Sequence, residues 1–83
     1  MISQDTLIDY VKRKMPDAEV TLVDKTGMMD HYRLEIISEK FAGMNLLDRQ
    51  RSVYEALNEP MKDGRIHALE IRSQTHEEAG GAG

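Results

Sequence analysis

What most constrains this chain is how its apolar residues change period, from helical spacing to strand alternation and back, within 83 residues. Leu7, Ile8, Val11 and Met15 recur at helical spacing. Ser3 can cap the first turn, Lys12, Arg13 and Lys14 suit a helix C-terminus, and Pro16 stops the pattern. From Glu19 to Asp24 the period becomes two, with Val20 and Leu22 on one face and Thr21 and Val23 on the other. Lys25-Thr26-Gly27-Met28-Met29-Asp30 then reads as a turn into Tyr32, Leu34 and Ile36, which alternate with Arg33 and Glu35, so the two strands are predicted to form a hairpin.

Helical spacing returns from Asn45, with Asn45 or Asp48 near the start and Leu46, Leu47, Val53, Tyr54 and Leu57 as the predicted apolar side. Pro60 suits the start of a further turn. Asp63-Gly64 is a turn signal, and Arg65 to Ser73 alternates again, with Ile66 and Ala68 opposite His67, Leu69 and Ile71. The order helix, strand, strand, helix, strand predicts an α+β, two-layer αββαβ sandwich with a three-stranded sheet and the helices on one face. One domain over residues 1–74 is expected, followed by a flexible tail, 75–83, whose small and acidic residues bury too little to stay ordered.

Chains of 83 residues bury only roughly 60% of their unfolded surface, so two domains are excluded. No apolar run approaches the roughly 20 residues that span a bilayer, and MISQDTLIDY lacks the basic and apolar stretches of a secretory signal, so no membrane contact and a cytoplasmic location are expected. With no cysteine the chain has neither disulfide nor thiolate, and any iron–sulfur cluster has to be shared with another protein. A net charge of -4 opposes broad attraction to phosphates. No glycine-flanked nucleophile and no phosphate-cradling loop is present, so no catalysis is expected.

His31, His67 and His76 are the side chains that titrate near neutrality and the good nitrogen ligands for a transition metal. No two are spaced i, i+4, so metal binding by this chain alone is not expected. His67, just after Gly64-Arg65, fits either a core-edge histidine bonded to a carbonyl or a ligand at a sheet end. His31 fits a strand-start residue or a ligand beside Asp30, and His76 a solvated tail residue. Arg49, Arg51, Lys62 and Arg65, with Arg72, could make a basic face or simply a solvated one.

Taken in order, Val23-Asp24, Gly27, Asp30-His31-Tyr32, Ser38 with Phe41-Ala42-Gly43, Arg49-Gln50-Arg51-Ser52-Val53-Tyr54, Ile66-His67-Ala68-Leu69 and the Thr75 to Glu78 segment resemble BolA-like proteins. The resemblance runs from about residue 5 to residue 78. It implies a fold like a type II KH domain. It also implies that His67 is the histidine ligand of a [2Fe-2S] cluster shared with a monothiol glutaredoxin and glutathione, with no cofactor on the isolated chain, which would be a monomer or weak homodimer.

An imidazole in place of one thiolate removes negative charge from the cluster and raises its potential. Two features depart from the family pattern. Gln50 stands where many members carry histidine, and the first hairpin loop is short, with Met28 and Met29 where longer loops bring a second ligand. His31 is the substitute that remains as second contact. The resemblance also implies an alternative, a DNA-binding regulator using Arg49, Arg51, Lys62 and Arg65, although the turn Gly43-Met44-Asn45-Leu46 lacks the second glycine of a KH loop.

Overall fold

The computed structural model describes residues 2–24 and 31–81, giving only the backbone at Asp24, His31, Ala68 and Gly81. Its elements are α1 (Gln4–Lys14), β1 (Glu19–Asp24), β2 (His31–Ile37), a 3-10 turn (Glu39–Phe41), α2 (Leu46–Ala56), α3 (Asn58–Lys62), β3 (Ala68–Gln74) and α4 (His76–Gly81). The predicted α+β order is present. The 25–30 connection lies outside the described residues.

Ser3 caps α1 by accepting from the Thr6 N–H, and the Met15 N–H closes the other end onto the Val11 carbonyl. Asn45 caps α2 in the same way, accepting from the Asp48 N–H at 2.8 Å. The sheet order is β1-β2-β3, with β1 antiparallel and β3 parallel to β2. The register pairs Leu22 with Leu34 and Leu34 with Ile71, and Val20 with Ile36 and Ile36 with Ser73, so these residues share one face. On that face Tyr32, Leu34 and Ile36 of the central strand are buried against Leu7, Val11, Met15, Phe41, Val53 and Leu57. The opposite face is polar, and there Arg33 lies 3.8 Å from both Glu35 and Glu70.

Three sequence expectations change. Leu46, Leu47 and Tyr54 do not belong to the buried side of α2, being 64%, 56% and 39% exposed, whereas Val53 and Leu57 are buried. At about 100° per residue Leu47 and Tyr54 fall a quarter turn from Val53 and Leu57, and Leu46 sits in the first turn. Second, β3 starts at Ala68 rather than Arg65. The Asp63 carboxylate accepts from the Arg65 N–H and the Pro60 carbonyl from the Ile66 N–H, so the chain is still turning there. The alternation resets, and Ile66 shares the core with Leu69 and Ile71 despite odd spacing.

Third, the expected loose tail is helical from His76 to Gly81. The Glu78 N–H donates to Thr75 Oγ1 at 3.1 Å while the Thr75 N–H donates back to Glu78 Oε1 at 2.8 Å, a capping box. Thr75-x-x-Glu78 is the sequence signal for this cap, which a reading of the tail by its small and acidic composition did not use. Residues 82–83 lie outside the described residues.

Candidate functional site at the start of the parallel strands

Because β2 and β3 run parallel, their first residues lie side by side, and His31 is the register partner of Ala68. His67 immediately precedes that pair. The two sequence-predicted ligands therefore stand at one end of the sheet, His31 opening β2 and His67 one residue before β3, strands that run roughly 4.8 Å apart. The side chain of His31 lies outside the described residues.

His67 is exposed, which removes the core-edge reading, and no hydrogen bond to another described residue holds its ring. Its turn is braced instead. Gly64 adopts φ 86°, a left-handed conformation that suits glycine, and a Cβ placed there would lie 4.0 Å from His67 Nε2. Arg65 Nε donates to Asp63 Oδ2 at 2.9 Å, and its far end donates to the Tyr10 hydroxyl of α1 at 3.0 Å while stacking over that ring at 5.6 Å. These contacts, the Tyr10 bond foremost, raise the Arg65 pKa further above neutrality. Arg65 ties the turn carrying His67 to α1. Sequence reading missed this clamp, because Tyr10 and Arg65 meet only in the folded chain.

The proposed basic face does not assemble as four free cations. Arg49 is only 13% exposed in its side chain and forms a two-pronged pair with Glu78 at 2.7 and 3.0 Å. Its Nε donates to the Met44 carbonyl at 3.0 Å, and the guanidinium lies 5.9 Å from the Phe41 ring. Arg65 is engaged as described. Arg51 and Lys62 are exposed, Arg51 3.8 Å from Asp48. Two of the four residues serve the fold.

His76 is not a solvated tail residue either. Its Nδ1 lies 2.8 Å from Glu39 Oε2 and its Nε2 3.1 Å from Glu19 Oε2, and the bond to Glu39 does most to raise its pKa above the ordinary 6.5. Among the described residues, no three histidines, cysteines or carboxylates gather as a metal site. Among the described residues His67 presents an exposed imidazole, a borderline nitrogen base.

Residues 12–78 match the model of the BolA family, described as BolA-like protein. The chain belongs to the BolA-like family. It is 35% identical over 77 residues to an uncharacterized protein from the rpoN-murA intergenic region of Acinetobacter guillouiae, covering 93% of this chain and 89% of that one. The structure is similar to BolA1 from Arabidopsis thaliana, with a TM-score of 0.79, 30% identity and coverage of 93% and 98% of the two chains. It also resembles the BolA domain of SufE1 from Arabidopsis thaliana, with a TM-score of 0.77, 25% identity and coverage of 94% and 99%. No helix among the described residues is long and apolar enough to cross a membrane.

Proposed function

We propose that this BolA-like protein is a non-catalytic adaptor that joins a monothiol glutaredoxin around a shared [2Fe-2S] cluster, in iron–sulfur trafficking or iron-status regulation. One observation carries the reading: His67 is exposed, its ring unoccupied by any described hydrogen-bond partner, on a turn braced by Arg65 beside the start of β2. A ligand for a cluster held mainly by another protein needs that combination of a free ring nitrogen and a fixed backbone.

In this role His67 supplies one neutral nitrogen, the glutaredoxin and its glutathione supply the thiolates, and His31, at the same sheet end, is the second candidate contact. A cluster with one thiolate exchanged for imidazole carries less negative charge and has a higher potential. The chain's own task is orientation. The Asp63–Arg65–Tyr10 clamp holds the turn that carries the imidazole, so little ordering of the main chain accompanies assembly.

The test is anaerobic reconstitution of a [2Fe-2S] monothiol glutaredoxin in the presence of this protein, read by visible circular dichroism. A new spectrum that His67→Ala abolishes while leaving the far-ultraviolet spectrum intact is the expected result. His31→Ala run in parallel reports whether that residue also contributes. An unchanged glutaredoxin spectrum with the wild-type chain would sink the proposal.

A further inference from the structure

Helix α4 spans only His76–Gly81 and contains Gly80 and Gly81, too short and too glycine-rich to hold a helical form alone. What holds it is polar. Glu78 reaches across to Arg49 and back to the Thr75 N–H. The His76 N–H donates to Glu39 Oε2 at 2.9 Å, and the His76 ring spans Glu39 and Glu19. Arg49, by contrast, is fixed independently of α4, through the Met44 carbonyl and its place over the Phe41 ring. The guanidinium thus keeps its direction whether or not Glu78 is present, and its outward edge is shaped for a carboxylate.

We propose that α4 is a detachable strap, pinned by His76, that masks the carboxylate-binding edge of Arg49. Docked, Glu78 acts as an internal occupant of that edge. Released, the edge faces solvent and can take a carboxylate from another chain.

Proton loss from His76 is the natural release. The groups facing its ring are Glu39 of the 3-10 turn and Glu19 of β1, with Asp17 behind them, its carboxylate held by Ser38 Oγ at 2.7 Å and the Glu39 N–H at 2.8 Å. Glu77 and Glu78 follow on α4 itself. A protonated His76 neutralises this acidic surround, whereas a neutral one leaves Glu19 and Glu39 facing each other. The contacts raise the pKa of His76, so its contribution is complete below the ordinary imidazole value and is lost as pH rises through the raised one. On the acid side the strap holds until Glu39 and Glu78, both lowered, take up protons.

The experiment follows the 13Cα shifts of residues 76–81 in the full chain between about pH 6 and about pH 9, a span that brackets imidazole titration. Helical shifts that decay toward coil values in step with the His76 ring resonances, and a His76→Ala chain with coil-like, pH-independent shifts and an unchanged sheet, would establish the strap. Constant helical shifts, or a pH response that survives in His76→Ala, would overturn it. Phenylglyoxal labelling at one pH, read by mass spectrometry, tests the masking. Arg49 should react several-fold faster in Glu78→Gln than in the wild type, and equal rates would refute masking.

Discussion

Replacing Gly64 by alanine tests whether a left-handed backbone positions His67. Gly64 has φ 86°, where an L side chain brings Cβ against the following carbonyl at about 1–2 kcal/mol. Space is not the obstacle. The new Cβ would meet His67 Nε2 at 4.0 Å, ordinary van der Waals contact, so the backbone term alone should appear. For a domain of this size the loss corresponds to a Tm lower by roughly 5–15 °C.

Gly43 is the internal control. It too is left-handed, at φ 79°, and a Cβ there meets nothing within 4 Å. Gly43→Ala should therefore cost about the same as Gly64→Ala in urea unfolding, and only Gly64→Ala should shift the His67 ring resonances. Asparagine, which tolerates this conformation, should restore part of the stability at either site. If Gly64→Ala proved neutral, or cost several times as much as Gly43→Ala, the strain argument would fail.

Phe41 is completely buried beneath Arg49, and Phe41→Ala should cost about 3–5 kcal/mol, much of the stability of a small domain, with a correspondingly early urea midpoint. Acid should unfold the protein late. The Arg49 partnership and the Thr75 N–H hold Glu78 down at about 2, and the Glu39 N–H and Ser38 hydroxyl lower Asp17. Their contribution is present above the ordinary carboxylate range and lost as pH falls through the lowered values. Urea midpoints at stepped pH should thus decline as pH falls below the ordinary carboxylate range toward about 2, where Glu78 titrates, and Asp17→Asn should flatten that limb.

Much of the fold was legible because local patterns and tertiary packing agree. Ser3 caps α1 as read, Asn45 of the two candidates Asn45 and Asp48 caps α2, and β1 spans Glu19–Asp24 as its alternation indicated. The ordered run around Ile66-His67-Ala68-Leu69 also pointed to the family that residues 12–78 match. Period and capping are properties of neighbours in the chain, so a sequence expresses them directly.

Other features were decided by residues far apart in sequence. Alternation could not place the first residue of β3, because an Asp63 turn and an Arg65–Tyr10 clamp across the domain reset it and left His67 exposed. Leu47 and Tyr54 read as core until the sheet's position selected the Val53–Leu57 side of α2. Arg49 read as a surface cation, and the C-terminal residues as a loose tail, because neither reveals the other until folding brings Glu78 to the guanidinium. Sequence determined which segments could be helix or strand and which side chains could ligate or carry charge. Tertiary structure decided which of those side chains stay free, since an ion pair or a ring contact satisfies a group only when folding delivers its partner.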